Sequence, residues 1–232
     1  MQEKSHPKFF YKFIRKLLII FSTKPKIINL NQSLANQAIY ISNHSAANGP
    51  LKLNLFLPFS FVFWGTHEML ENYKNRRKYL IDVFYRQKLH YGKVKSFIIG
   101  TLFAIISKYI YTNARVIATY KDLGFISTLK KSFSVLNNNE NILIFPEDSH
   151  NGYHDILQKY FPGFAMLANY YYKKTNIDLP VYPIYFFKKG KTIIIGKPIS
   201  VNNLIFEGKN FAEIAEIALN STNELARQVI NI

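Results

Sequence analysis

The chain has 232 residues and a mass of 27.1 kDa, and its 30 Lys and Arg residues outnumber 14 Asp and Glu. The formal charge of +16 favours polyanionic partners such as nucleic acid, anionic lipid or phosphorylated metabolites. Because the chain has no cysteine, disulfides and thiolate metal sites are excluded.

The N-terminal segment 6–26 interleaves basic residues with large apolar ones and predicts a helix over 7–22. Its longest apolar run, 17–21, is far shorter than the roughly 20 residues needed to cross a bilayer. A cationic amphipathic helix in the membrane interface and an ordinary terminal helix packed on the domain both agree with this pattern. We favour the first and divide the chain into a basic N-terminal arm, 1–30, and one domain, 31–232.

Short apolar runs alternate with longer helical patterns in the rest of the chain, without repeats or linkers. This alternation predicts an α/β fold with a central, mostly parallel sheet flanked by helices. The predicted strands are 38–42, 60–64, 115–119, 141–145, 180–186 and 191–196. The predicted helices after the first are 50–57, 66–80, 97–111, 124–137, 160–174 and 210–230. The apolar stretch 96–107 suits a buried core helix or a segment dipping into a membrane.

Sites in such sheets gather beyond the carboxyl ends of strands, where the loops 42–50 and 146–155 fall. In the first loop, Asn43 and His44 follow an apolar strand and precede a slim small-residue turn. Imidazole has a reference pKa near neutrality, which suits it to proton transfer. His44 is therefore a candidate base, although no acid follows it before Glu68.

The second loop begins with Phe145 and Pro146 and then presents two adjacent acids, Glu147 and Asp148. Two acids at a strand end can contact a substrate hydroxyl, a metal or a cation. The alternative is a turn in which Asp and Ser cap the following segment.

A metal site is a weaker interpretation of the same loop. His150 and His154 stand four residues apart, a spacing that brings ligands together only on a helix. Asn151 and Gly152 between them disfavour a helix, so we expect no metal site here.

Four blocks together resemble the glycerophospholipid acyltransferase family, whose members acylate lysophosphatidic acid. The resemblance covers roughly residues 30–205. The matching residues are Asn43 and His44 of an Asn-His-x4-Asp block, Phe145, Pro146 and Glu147 of a Phe-Pro-Glu-Gly-Thr-Arg-Ser block, Leu179 to Pro183 of a proline-containing strand, and Gly196 to Ile199 of a Gly-x-Pro-Ile block. The departures are Gly49 for the Asp, Asp148, Ser149 and His150 for Gly, Thr and Arg, and Lys121 or Tyr120 for the arginine of a further block.

The resemblance implies transfer of a fatty acyl group from acyl-CoA or acyl carrier protein to a lysophospholipid hydroxyl, at the cytoplasmic face of a membrane and without a further cofactor. It makes His44 the general base, beside Asn43 and Asp148 as catalytic residues. The implied substrate-binding residues are Phe145, Pro146, Glu147, Ser149, His150, Pro183, Arg115 and Lys121. Acidic membrane lipids are the expected partners.

Gly49 removes the carboxylate that orients the histidine in that family. A backbone carbonyl, a carboxylate distant in sequence (Glu68, Asp148 or Asp155), or a loss of catalysis could each account for its absence. A non-catalytic relative that binds lysolipid or a membrane surface is therefore the second hypothesis. Nucleic-acid binding rests on charge alone, because no recognisable DNA- or RNA-binding module is present, and we expect no nucleic-acid partner.

Overall fold

The computed structural model describes residues 9–46, 48–120 and 122–230, with side chains from residue 13 onward. The strands are β1 (Lys26–Asn29), β2 (Ile39–Ser42), β3 (Phe61–Thr66), β4 (Ile117–Thr119), β5 (Asn141–Ile144), β6 (Pro180–Phe187), β7 (Thr192–Ile195) and β8 (Ile199–Ser200). The α-helices are α1 (Phe9–Phe21), α2 (Asn48–Phe56), α3 (Tyr73–Lys78), α4 (Lys93–Asn113), α5 (Phe125–Asn137), α6 (Gly163–Thr175), α7 (Val201–Phe206) and α8 (Phe211–Ile230).

The strands form one mixed sheet in the order β1-β7-β6-β2-β5-β3-β4, and β8 pairs with the start of β6. Strands β6, β2, β5, β3 and β4 run parallel, while β7 and β8 are antiparallel to β6. Apolar side chains cover both faces of the central strands, as parallel strands between two layers require. The predicted α/β fold with a mostly parallel sheet flanked by helices is confirmed.

The N-terminal segment is joined to this fold rather than standing apart as an arm. Strand β1 pairs with β7 and forms the edge of the sheet. In α1, the Arg15 guanidinium donates to the carbonyl of Asn54 at 3.0 Å, which fastens the helix to α2. Residues 1–8 of the predicted arm lie outside the described residues.

The crossover between β3 and β4 differs most from the sequence-based expectation. Where one helix is predicted over 66–80, the chain forms a 3-10 turn (His67–Leu70), then α3, then a π-helix (Tyr79–Lys88) that leads to α4. These elements enclose a small core of their own around Met69, Leu80 and Tyr85. Among the described residues, α4 is the one helix long and apolar enough to cross a membrane, judged by length and composition alone.

Proline in β6 is accommodated by a change of partner strand. The start of β6 pairs with β8 and its end pairs with β7, so no ladder partner faces Pro183 from an antiparallel strand. The Gly196 amide donates to the Pro183 carbonyl at 2.8 Å at this junction. Proline has no N–H to donate, and at Pro183 no residue of β7 or β8 is paired to receive such a bond.

Candidate functional site

The parallel register places the two loops of interest at one level of the sheet. Ile41 of β2 is paired with Ile144 of β5 and with Pro183 of β6. His44 and Glu147 each lie three residues beyond their paired positions, so they emerge side by side at the carboxyl edge. The His44 amide donates to Glu147 Oε2 at 2.8 Å.

A tight turn orients the His44 ring. The ring Nδ1 lies within hydrogen-bonding distance of the Ala46 carbonyl oxygen. A carbonyl only accepts hydrogen bonds, so Nδ1 must carry the proton and Nε2 must carry the lone pair. The turn uses two left-handed residues, Ser45 at φ 42° and Ala46 at φ 54°, each of which costs about 1–3 kcal/mol. The backbone thus stores strain where it fixes the ring's tautomer.

Gly49 is required by this turn. It lies in the first turn of α2, where an added Cβ would stand 2.3 Å from the His44 carbonyl oxygen. That distance is far below any van der Waals contact, so neither aspartate nor alanine fits at position 49 without a backbone shift. Among the three explanations for the missing aspartate, the described contacts of Nδ1 agree with the backbone carbonyl.

The carboxylates distant in sequence pair with other groups. Asp148 Oδ2 faces Lys159 Nζ at 3.8 Å, and Asp155 Oδ2 faces Lys189 Nζ at 3.6 Å. Glu68 lies beside His67, with 3.3 Å between Oε2 and Nδ1. The orientation of the candidate base therefore does not depend on these side chains.

Aromatic rings hold His44 on two sides. Its ring centroid is 5.1 Å from that of Tyr153, in a stacked arrangement, and 5.0 Å from that of Phe145, in a tilted one. Desolvation by this packing, with a smaller effect of the positive charge of Lys88, lowers the His44 pKa to about 4. The imidazole is consequently neutral at physiological pH, the form that can accept a proton.

The Glu147 side chain is buried. Burial raises the pKa of its carboxyl to about 7, against the opposing effects of hydrogen bonds from the backbone amides of His44 and His154 and of the Lys88 charge. The chain after it folds back, since the Asp148 amide donates to the Lys159 carbonyl at 2.9 Å. Glu147 thus ties together the backbone of both loops at the sheet edge.

Lys88 is a site residue that sequence reasoning missed. It ends the π-helix, and its ammonium donates to Ser149 Oγ at 2.9 Å. Its charge also acts on both His44 and Glu147. The lysine is 44 residues from His44 and 61 from Ser149, so no local sequence pattern links it to either loop.

The remaining predicted residues of the two loops have structural contacts. The Asn43 side chain donates to the Phe186 carbonyl at 3.1 Å and accepts from its amide at 2.7 Å, which extends the β2–β6 pairing. Asp148 Oδ1 accepts from the His150 amide at 3.2 Å. The His150 ring is exposed and contacts Asn151 Oδ1 at 3.2 Å. The side chains of Asn43, Asp148 and His150 therefore hold the backbone or contact neighbouring residues, and none of these bonds involves the His44 ring.

The cations predicted to bind phosphate are not brought together. Arg115 precedes β4 at the opposite edge of the sheet and forms a two-pronged ion pair with Glu140, at 2.5 and 2.9 Å. Lys121 lies outside the described residues. Its neighbour Tyr120 stacks on His67 with 4.8 Å between ring centroids. Among the cations that the structure describes, Lys88 is the one whose charge acts on the candidate base.

Metal-binding residues are also not assembled. The His154 backbone amide donates a hydrogen bond to the Glu147 carboxylate, while the His150 side chain is exposed to solvent. Within 9–46, 48–120 and 122–230, no group of three or more His, Asp or Glu side chains is placed to hold a metal ion.

Comparison with known proteins identifies the fold. No family model matches the sequence, and no curated protein matches it either. A solved structure is similar over 93% of this chain and 81% of its own, with a TM-score of 0.50 and 13% sequence identity. It is the 1-acyl-sn-glycerophosphate (LPA) acyltransferase PlsC from Thermotoga maritima. The chain thus has an α/β fold similar to that of this acyltransferase, and at 13% identity the likeness concerns the fold alone.

Proposed function

We propose that the protein is an acyltransferase of phospholipid synthesis, acting on a lysophospholipid hydroxyl with His44 as the general base. One observation carries the proposal: the Ala46 carbonyl fixes the His44 tautomer with Nε2 unprotonated, at the carboxyl edge of an acyltransferase-like sheet. An alcohol is a weak nucleophile at neutral pH, so removal of its proton during attack accelerates the reaction.

The proposed reaction moves an acyl group from a thioester, on coenzyme A or acyl carrier protein, to the acceptor oxygen. His44 Nε2 takes the hydroxyl proton while that oxygen attacks the thioester carbon. The tetrahedral intermediate then expels the thiolate, which receives the proton from the imidazolium. The products are an ester and a free thiol, and the base returns to its neutral form.

The backbone carbonyl supplies one of the two benefits that a carboxylate gives to a catalytic histidine. Changing the aspartate of a serine-protease triad to asparagine costs about 10⁴-fold, through the wrong tautomer. Here the Ala46 carbonyl secures the correct tautomer. It stabilises the imidazolium less than a full negative charge does, so we expect turnover below that of an enzyme with the carboxylate.

The acceptor's phosphate is proposed to bind at Lys88. Its ammonium lies beside Ser149 at the edge that carries His44, whereas Arg115 is paired at the other edge. Lysine binds phosphate as a point charge, without the planar fork of arginine. Binding at the cytoplasmic face of a membrane belongs to the same proposal, since lysophospholipids reside there and the net charge of +16 favours anionic lipid.

The test is acyl transfer by the purified chain from radiolabelled acyl-CoA, or from acyl carrier protein, to lysophosphatidic acid. We expect labelled phospholipid from the wild type, and a loss of at least about 100-fold in His44→Ala. Unfolding curves of both proteins check that the variant is folded. Unchanged turnover in the variant would refute His44 as the base.

A non-catalytic, lysolipid-binding relative is the second candidate, because no carboxylate contacts Nδ1 among the described residues. Binding of lysophosphatidic acid without thiol release from any of the donors would favour it. Thiol release that requires the acceptor would favour the acyltransferase.

A further inference from the structure

Helix α4 exposes a row of large apolar side chains. Six of them are more than half exposed, although the helix belongs to a folded domain. Single exposed apolar residues are ordinary, whereas a continuous face of them marks an interaction site. The exposed residues are Val94, Phe97, Ile98, Leu102, Ile105 and Ile106.

The fully buried residues of α4 are all small. Ser96, Gly100, Ala104 and Ser107 are buried, and they allow the π-helix to approach closely. An added Cβ at Gly100 would lie 2.6 Å from Ile81 Cγ1. The small stripe is therefore already used within the domain. On the outer face, the Arg77 guanidinium of α3 lies 4.7 Å from the centre of the Phe97 ring, and all six large apolar side chains still remain more than half exposed.

Polar tethers fix the helix along the domain surface. The buried Arg76 guanidinium donates twice to the Ala104 carbonyl, at 3.1 and 3.0 Å. Arg77 Nε donates to Thr101 Oγ1 at 2.8 Å. At about 1.5 Å per residue, the 21 residues reach about 31 Å, enough to cross a bilayer. However, passing through a bilayer would carry the basic helix α3, to which α4 is bonded, into the hydrocarbon layer. An orientation of α4 in the membrane plane agrees better with these contacts.

The charges around the exposed apolar face of α4 indicate which kind of surface it binds. Residues 83–121 contain no Asp or Glu, while seven basic residues lie there. They are Arg86, Lys88, Lys93, Lys95, Lys108, Arg115 and Lys121. On the helix itself, the exposed Lys95 and Lys108 lie at either end of the apolar face, about 20 Å apart. Apolar side chains between lysines match the interface of an anionic bilayer, where lysine stems extend toward the head groups.

We propose that the exposed face of α4 docks the protein on an anionic bilayer, with the helix lying in the membrane plane. This goes beyond the proposed function, which requires a lipid substrate but assigns no membrane-binding surface. The same crossover carries Lys88, whose bond to Ser149 connects it to the loop of the candidate site. Docking through α4 would therefore bring the lipid surface to the crossover that contacts the loop of the candidate site.

The experiment uses the fact that the chain has no cysteine. Leu102→Cys in the full chain is labelled with an environment-sensitive nitrobenzoxadiazole probe. Phe206→Cys is the matched control, because Phe206 is 69% exposed and lies on α7, away from α4. On adding phosphatidylglycerol vesicles, we expect a blue shift and at least a twofold rise in emission at position 102, with little change at 206. Neutral phosphatidylcholine vesicles should give a much smaller response.

Several results would overturn the proposal. They are equal responses at positions 102 and 206, no response at 102, equal responses to neutral and anionic vesicles, or a blue shift without vesicles that grows with protein concentration. The last of these would indicate a second copy of the chain as the occupant. Because the readout does not involve acyl transfer, an inactive enzyme and a misassigned membrane face give different results.

Vesicle sedimentation separates α4 from the N-terminal helix. The triple variant Phe97→Ser, Leu102→Ser and Ile105→Ser should bind anionic vesicles at least tenfold more weakly than the wild type. The matched triple variant of α1 replaces Phe13, Ile20 and Phe21 with serine, and these three residues are also at least half exposed. A tenfold loss in the α1 variant alone would assign docking to α1 and refute the proposal.

Discussion

The backbone N–H of His44 donates to Glu147 Oε2 over 2.8 Å, although 103 residues separate the two in sequence. The contact involves the histidine backbone, while the ring is oriented by the Ala46 carbonyl. Glu147 therefore acts as a positioning residue for the loop that carries the candidate base.

Replacing the buried carboxylate should make the stability difference from the wild type depend on pH. The Glu147 pKa is raised from 4.5 to about 7, so the folded state holds this proton more tightly than the unfolded state. The stabilising effect of the proton is complete below about pH 4.5 and is lost as pH rises through 7. Glu147→Gln does not titrate there. From pH 5 to pH 8, its free energy of unfolding should therefore rise by about 2 kcal/mol relative to that of the wild type.

Urea unfolding of both proteins at the two pH values measures this gain. Titration of His44 is common to both proteins and cancels in the comparison. A difference that is the same at pH 5 and pH 8 would contradict a raised pKa at Glu147.

The pH profile of acyl transfer should distinguish the two titrating groups. Because the His44 pKa is lowered to about 4, the base is already neutral at pH 5. We expect the wild type to change activity near pH 7, through Glu147, and Glu147→Gln to have a flat kcat/KM from pH 5 to 8. If the inflection persists in the variant, His44 titrates near its ordinary value and the packing around it does not lower its pKa.

Restoring the family's aspartate should harm this protein. In Gly49→Asp the new Cβ meets the His44 carbonyl oxygen, and we expect a loss of about 1–3 kcal/mol in unfolding free energy without any rise in turnover. Gly92→Asp is the matched control, because an added Cβ there meets nothing within 4 Å and Asp suits the N-cap of α4. Equal stability of the two variants, or faster turnover in Gly49→Asp, would mean that position 49 accommodates the carboxylate.

Lys88 should determine preference for a phosphomonoester acceptor. Lys88→Met is expected to raise the KM for lysophosphatidic acid about tenfold or more, while the KM for lysophosphatidylcholine changes little. Lys88→Arg should retain most of the affinity, because it keeps the charge. Steady-state kinetics with both acceptors measure the effect, and Lys197→Met, on an exposed lysine between β7 and β8, is the control for overall charge. An equal rise for both acceptors would assign Lys88 a purely structural role through Ser149.

The sequence determined the central strands and the first two site residues. Strands β2 and β5 are buried on both faces, so each is an uninterrupted apolar run that single-sequence patterns detect. His44 and Glu147 follow those runs at the same offset, which places them at one edge of a parallel sheet. The sequence does not predict strands β1 and β8. They have four and two residues respectively, and such short, partly exposed strands show little apolar pattern.

Tertiary structure alone decided how the histidine is held and which cation accompanies it. The tautomer depends on two left-handed residues and on the absence of a Cβ at Gly49, which leaves room for the His44 carbonyl. Hydrophobic periodicity contains no information about backbone geometry of this kind. Lys88 reaches the site because a π-helix replaces the predicted end of a helix, and contacts between distant segments fix its position. Periodicity records which residues face the core, whereas these contacts depend on how separate elements pack together.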